Sequence, residues 1–383
     1  EFMKKIELYE EIPVEECWQM TGKAPISTKW VDINKGTDTQ PDVRCRLVAR
    51  DFKPRHEKDR ADLFAAMPPL EATKLLFQKA VDNDEVCRRR GGKESLKLMF
   101  IDVKKAHLNG VLKNDEYVCV ELPSEANCPG KCGRLKRWLY GMRPAAAAWE
   151  ADYAERLSGI GFRRGTAAPT VFYSRELQVR VVVHGDDFTF LGFEKDLKFV
   201  ADEMKKWYEL KVRAILGPDE WDAKEITILN RTVRWKNDCI EYEADRKHVR
   251  EIAAGCGLDE DSNGVQCASM RDEEGGEENQ ELTAVEEKEF RRLAATANYL
   301  SQDRVEMQYA AKEVCRHMAK PDTRGREKLR RLARYLVRHP RLVYNFRKGE
   351  SRDWIETYSD SDWASCRNSR KSTSGGIATL GGC

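Results

Sequence analysis

Long apolar runs are missing from this chain. No stretch of roughly 18 consecutive apolar residues occurs in its 383 residues, the length a helix needs to cross a lipid core, so no membrane partner is expected. The opening Glu1-Phe2-Met3-Lys4-Lys5 lacks the apolar centre of a secretory signal and does not look like an initiator region, which points to a fragment of a longer polyprotein. Close cysteine pairs are also scarce. Of 12 cysteines, Cys128 and Cys132 form the one near pair, and no second pair or nearby histidine completes a four-ligand zinc set. Scattered thiols fit a reducing, intracellular compartment better than a disulfide framework. Net charge is nearly absent at +2, but that balance hides a segregation. Asp259 to Glu289 carries twelve acids and two bases, and Lys312 to Lys348 carries thirteen bases and three acids. The acidic run fits a solvated loop. The basic run fits a surface that tracks a phosphate backbone.

What is present fits a globular chain of two or three domains, with 41% hydrophobic and 34% charged residues. Its organising stretch is Val181-Val182-Val183-His184-Gly185-Asp186-Asp187-Phe188-Thr189-Phe190-Leu191. β-branched and aromatic residues on both sides of Gly185-Asp186-Asp187 predict two strands and a tight hairpin. Adjacent carboxylates after a buried valine run repel each other and need a neutralising cation, which for oxygen ligands is a divalent metal. Upstream, Leu96 to Val103 predicts another buried strand with Asp102 near its end. Side by side in one sheet, the two elements would bring Asp102, Asp186 and Asp187 together as ligands for two metal ions about 3.5–4 Å apart, the arrangement used for in-line phosphoryl transfer.

These residues carry a resemblance. Asp102-Val103-Lys104-Lys105-Ala106-His107-Leu108-Asn109-Gly110 resembles the first catalytic motif of copia-type retrotransposon reverse transcriptases, and His184-Gly185-Asp186-Asp187 resembles their aromatic-x-Asp-Asp motif. The long insertion between the two, holding a helix-like segment, is also the family's. Lys29-Trp30-Val31 and Arg44 to Arg50, around a turn at 35–38, resemble the family's fingers hairpin, with Asp51 where Gly is usual. The resemblance implies that Arg44, Arg46 and Arg50 face the incoming triphosphate. His107 takes the place of a bulky aromatic whose ring lies under the nucleotide sugar and excludes a 2′-hydroxyl. Arg134 to Arg143 resembles a Leu-Tyr-Gly segment in which Tyr140, Gly141 and Arg143 would border the nucleotide, with Gly141 letting backbone approach the template base pair. Pro144 and an alanine run then replace Gln-Ser-Pro before Trp149, and a helix should still follow from Ala145 to Leu157.

Helical periodicity marks 70–81 and 197–207. Thr227 to Arg231 resembles the strand that grips the primer, giving Leu229 and Asn230 that role, with Asn230 at a usual Gly. Ile240 to Cys256 resembles the opening of a helical thumb. The helix around 329–336 interleaves apolar residues with Lys328, Arg330, Arg331, Arg334 and Arg338, and Arg330 and Arg334 are candidates for primer–template contact. Tyr358 to Ala364 with Arg370 to Gly376 resembles the start of a ribonuclease H domain, where Asp360 matches the first metal-binding carboxylate. The chain stops at Cys383, before further acidic ligands, so ribonuclease H activity is not expected from it.

The implied fold is α+β: a right-hand polymerase with fingers, an antiparallel palm and a thumb. The expected segments are a lead-in at 1–24, the polymerase at 25–258, an acidic linker at 259–282, a basic helical connection at 283–348 and a truncated ribonuclease H-like start at 349–383. The implied activity is RNA-directed DNA synthesis with two magnesium ions, manganese being an alternative. Implied partners are an RNA template, a DNA or tRNA primer, deoxynucleoside triphosphates and other polyprotein segments. The implied place is a cytoplasmic virus-like particle, or the nucleus. A second reading from another class is a degenerate remnant that only binds nucleic acid, favoured by His107, the alanine run and Asn230. A phosphodiesterase built on the C-terminal acids has too few ligands.

Overall fold

A computed structural model of the chain describes residues 3, 6–34, 36, 40–54, 56, 58, 60–82, 94–113, 116–270, 279–349, 354–364, 366 and 370–380. They fall into two compact units, Glu1–Thr73 with Lys97–Ile215 and Lys74–Leu96 with Leu216–Cys383. One boundary between them lies at 215–216, inside the segment expected as polymerase, and residues 74–96 belong to the second unit. The basic loop at 88–92 and most of the turn at 35–38 lie outside the described residues.

In chain order as far as Leu216 the elements are β1 (Tyr9–Pro13), α1 (Val14–Thr21), β2 (Thr28–Asn34), β3 (Val43–Ala49), α2 (Leu70–Val81, most of it in the second unit), β4 (Leu96–Val103), β5 (Cys119–Glu121), β6 (Lys131–Leu135), α3 (Ala145–Gly159), β7 (Arg163–Arg164), β8 (Val171–Ser174), β9 (Val179–His184), β10 (Asp187–Phe193), α4 (Glu194–Trp207) and β11 (Leu210–Leu216). A six-stranded sheet runs β11-β4-β10-β9-β8-β7, a three-stranded one β1-β6-β5, and β2 pairs with β3. Residues 1–24 are therefore not a loose lead-in. β1 pairs antiparallel with β6, Ile12 opposite Cys132. That stretch buries little beyond Leu8, Ile12 and Cys17, too few positions for a period to show in the sequence.

The six-stranded sheet is held by burial on its helix-covered side. Met99, Ile101 and Val103 of β4, Val181 and Val183 of β9, and Phe188 and Phe190 of β10 share one cluster with Trp149 and Tyr153 of α3 and Leu197, Val200 and Met204 of α4. Each such side chain contributes about 1.5–3 kcal/mol. The spacing of Leu197, Val200 and Met204 gives α4 its apolar stripe, and acidic residues in its first turn with lysines in its last suit the helix dipole.

The remaining elements are β12 (Glu225–Ile228), β13 (Arg231–Trp235), β14 (Cys239–Ala244), α5 (Lys247–Gly255), α6 (Ala284–Ser301), α7 (Gln308–Cys315), α8 (Thr323–Arg338), β15 (Val343–Arg347), β16 (Ile355–Ser361) and β17 (Ser374–Leu380). β12 to β15 form one antiparallel sheet in sequence order, and β16 pairs with β17. Helices α5 to α8 bury Ile252, Phe290, Leu293, Ala311, Leu332 and Leu336 together, and a Thr283–Glu286 capping box starts α6.

The acidic stretch is not a free linker along its described part. Ala268 enters the helical core, and Val265 N–H donates to the Arg334 carbonyl at 3.2 Å. Lys328, expected on the outer face of α8, is buried and pairs with Glu313 at 3.6 Å. All the larger sheets are antiparallel among their registered pairs, so the fold is α+β.

Candidate active site

The site begins with a turn. His184 and Asp187 close the β9–β10 hairpin as an antiparallel pair, so Gly185 and Asp186 are its two turn residues and Asp187 already belongs to β10. Gly185 has φ +65°, a left-handed value that glycine accepts without Cβ strain. Trp149 of α3 fixes the turn from below by donating its indole N–H to the Gly185 carbonyl at 2.8 Å. The end of β4 is tied to the same turn: Val103 N–H donates to the Asp186 carbonyl at 2.9 Å. Asp102 precedes Val103, and it is half-buried where the rest of β4 is buried. The fold thus brings together the two elements that the sequence left 84 positions apart.

The carboxylates are poorly balanced. Burial pushes the Asp187 carboxyl up to about 6, and the nearby Asp186 charge, with a smaller effect from Asp102, pushes the same way. The opposing cation is Arg213 on β11, 3.6 Å from Asp187. Nothing in the sequence set Arg213 apart from the other basic residues of its strand. Among the described residues, the three carboxylates do not fall within 4.8 Å of one another as one group. That spread does not suit three ligands around a single ion. An all-oxygen donor set with excess negative charge and partial desolvation does suit divalent cations, so the residues present fit such ions.

The carboxylates open into a cavity of about 1150 Å³, which Arg44, Arg46, Lys104, Lys105, Tyr140 and Arg213 also line. In β3 the buried Leu47 and Ala49 alternate with Arg44, Arg46 and Val48, which puts the two arginines on one face. The Arg46 guanidinium lies 5.5 Å from the centre of the Tyr140 ring, and Tyr140 packs against His107 with ring centres 5.2 Å apart. Burial lowers the pKa of His107, which favours the neutral ring near neutral pH; the Asp186 charge opposes this and the Arg46 charge adds to it. Lys104 and Lys105 sit just beyond Asp102 and were not singled out as site residues in the sequence. Lys105 is left-handed, φ +54°.

Arg50 and Gly141 make structural contacts of their own here. Arg50 is not among the residues lining the cavity. It follows β3, and its backbone N–H donates to the Ser27 carbonyl at 2.8 Å. Gly141, at φ +82°, makes its close approach to protein backbone: a Cβ there would lie 2.2 Å from the Ala49 carbonyl oxygen. The Ala49 N–H bonds the Tyr140 carbonyl at 2.7 Å, so this glycine lets the β2–β3 hairpin dock. The departure at Asp51 belongs to the same joint, because its carboxylate accepts the Arg143 N–H at 3.0 Å.

The other candidates lie in the second unit. Leu229 and Asn230 do not sit within a strand. They form the turn between β12 and β13, closed by Ile228 opposite Arg231, with φ +46° and +60°. The buried Arg231, unnoticed in the sequence, donates to the Leu229 carbonyl at 2.7 Å and pairs with Asp303 at 2.8 Å. Arg330 is exposed on α8, whereas Arg334 donates to the Asn263 carbonyl at 2.8 Å and Arg331 to that of Ser269 at 2.8 Å. Part of the basic face is therefore covered by the acidic stretch. Asp360 lies exposed on β16 and accepts the Ser361 N–H.

A hairpin carboxylate pair beside a strand-end aspartate, in a cavity that arginine and lysine side chains help to line, is an arrangement suited to phosphate chemistry. The profile of the family described as reverse transcriptase (RNA-dependent DNA polymerase) matches residues 17–218, and the chain belongs to that family. Its members use divalent metal ions. Similar proteins include the retrovirus-related Pol polyprotein from transposon RE1 of Arabidopsis thaliana, 22% identical over 343 residues that cover 88% of this chain and 22% of the relative. The corresponding polyprotein from transposon TNT 1-94 of Nicotiana tabacum is 22% identical over 378 residues, covering 94% of this chain and 26% of the relative. These relatives bear out the copia-type resemblance. The chain spans about a quarter or less of their length. Among solved structures, a foamy viral protease-reverse transcriptase in complex with double-stranded DNA aligns with a TM-score of 0.43 and 11% identity, covering 88% of this chain and 46% of that one.

Proposed function

We propose that this chain is an active RNA-directed DNA polymerase that adds deoxynucleotides to a primer 3′-hydroxyl on an RNA template. The observation that carries the reading is the tie between Val103 and Asp186, which sets Asp102 beside the Asp186–Asp187 turn. Asp102, Asp186 and Asp187 would hold two divalent ions, magnesium or alternatively manganese, which when bound activate the attacking hydroxyl and offset charge on the leaving pyrophosphate. Arg44, Arg46, Lys104 and Lys105 supply the positive wall that a triphosphate needs, and they gain strength because the cavity is partly desolvated. The Tyr140–His107 pair offers a flat surface for the nucleotide, with Arg46 placed to hold it. Exposed Arg330 suits the phosphate backbone of the primer–template, which we take to be RNA with a DNA or tRNA primer. Residues 349–383 are proposed as the beginning of a further module of the polyprotein.

The test is primer extension by the full chain on an RNA template with magnesium. Wild type should extend, and Asp186→Asn should extend about a thousandfold slower or worse, since losing several kcal/mol of charge stabilisation costs that much, while duplex binding persists. Duplex binding with no extension by wild type would favour the inactive remnant instead.

A further inference from the structure

The Cys128–Cys132 spacing suggests a metal pair, but the fold uses Cys132 differently. Cys132 lies on β6 with Cys119 diagonally across on β5, where Glu121 faces Cys132 and Arg134 faces Cys119. Residues two apart along a strand share a face, so the two thiols lie on one side of the three-stranded sheet. Helix α1 crosses that side and lowers Cys17 onto it. Ile12 completes the buried cluster, flanked by half-buried Val14 and Tyr117. All three cysteines are buried, and their sulfur atoms lie within 4.8 Å of one another. Cys128 stays outside: its thiol turns to Glu11 and the Ala126 carbonyl.

We propose that Cys17, Cys119 and Cys132 form a binding site for one thiophilic d10 metal ion, zinc(II) or copper(I). Buried thiols ordinarily act as small apolar groups, and a single one would carry no such meaning. Here three come from separate elements of chain and converge at ligand spacing. The Cys17 thiol donates weakly to the Lys23 carbonyl at 3.6 Å and that of Cys132 to the Pro13 carbonyl at 4.0 Å, contacts that are given up when the thiols ionise, and an all-sulfur donor set selects soft ions. No fourth Cys, His, Asp or Glu atom among the described residues shares the spacing, and the Glu16 carboxylate nearby accepts the Tyr117 hydroxyl at 2.9 Å. Three-coordinate binding follows, which copper(I) accepts readily and zinc completes with a fourth ligand. Each thiol that becomes a ligand releases its proton to solvent. A bound ion would pin α1 to the sheet formed by β1, β5 and β6, whose residues Tyr9 and Glu11 border the cavity of the proposed active site.

The test uses the full, reduced chain under anaerobic conditions and does not depend on polymerisation. Cadmium(II) is titrated as a spectroscopic probe, with sulfur-to-metal absorption in the ultraviolet as readout; zinc(II) and copper(I) are loaded in separate arms and counted by native mass spectrometry. About one ion per chain should be retained, with release of about three protons, and Tm should rise with ion concentration. Cys17→Ala, Cys119→Ala and Cys132→Ala should each abolish the absorption band at equimolar metal, while Cys45→Ser and Cys128→Ser keep it. If the alanine variants fail to fold, the wild-type stoichiometry and proton count decide. Retention of neither zinc nor copper, proton release of one or fewer, or a band that survives all three alanine changes overturns the proposal.

Discussion

Among the described residues, the buried Asp303 and the half-buried Asp187 are built into their surroundings in opposite ways. In the second unit Asp303, 2% exposed, receives Nε of Arg231 at 3.0 Å and the Tyr242 hydroxyl at 2.6 Å, while Tyr299 meets the same guanidinium at 3.2 Å. Every strong demand of that charge is met by the protein. At the β9–β10 turn the protein stacks negative charge instead, and Arg213 at 3.6 Å answers only part of it. The first charge is answered within the protein; the second is answered only in part. Burial does not set the two apart as clearly as the balance of neighbouring charge does.

The comparison can be broken by substitution, taking the larger effects first. Asp303→Ala strands a buried guanidinium and should cost about 3–5 kcal/mol in urea unfolding, whereas Asp186→Asn, which relieves repulsion, should leave stability equal or higher. The pH dependence has a fixed sign. Asp187 binds its proton more tightly in the fold, at about 6 against an ordinary 3.8, so the folded chain holds more protons than the unfolded one between those values. Metal-free stability from this group is therefore lost as pH rises through that window, and its penalty is complete above it. Asp187→Asn should be more stable than wild type by on the order of 2 kcal/mol at pH 7, with the gap closing toward pH 4 in paired thermal melts. Gly141→Ala places a Cβ against the Ala49 carbonyl in a left-handed conformation and should cost roughly 1–3 kcal/mol. It should also raise KM for nucleotide, because the hairpin carrying Arg44 and Arg46 shifts. The smallest effect is a gain: Asn230→Gly at φ +60° should add up to about 1 kcal/mol, measured by Tm, since glycine suits the second residue of this turn.

What the sequence made legible follows its periodicity. Helix α2 runs over the expected 70–81, and β4, β9 and β10 lie where their apolar runs place them, because buried strands announce themselves in unbroken valine, leucine and phenylalanine. The three aspartates could be placed near one another because motif and strand pattern agreed. What stayed hidden depends on contacts between distant residues. β1 borrows its partner from β6 more than 100 positions away. Arg213 looks like any exposed strand arginine until the sheet closes beside Asp187. Thr227 to Arg231 read as a strand because its apolar residues outweighed a turn whose Leu229 gives no sign of a left-handed backbone. The acidic stretch looked solvated because its charges masked Ala268, which enters the helical core.

On the proposed function the open cluster takes up divalent cations and the closed one does not. The most direct measurement is a manganese(II) titration of the full chain near pH 7.5, with the paramagnetic resonance of unbound ion as readout and a deoxynucleoside triphosphate present at fixed concentration. Wild type should withdraw manganese beyond what the nucleotide alone binds, Asp102→Asn and Asp186→Asn should lose that excess, and Asp360→Asn should keep it. Equal uptake by wild type and the two site variants would contradict the account.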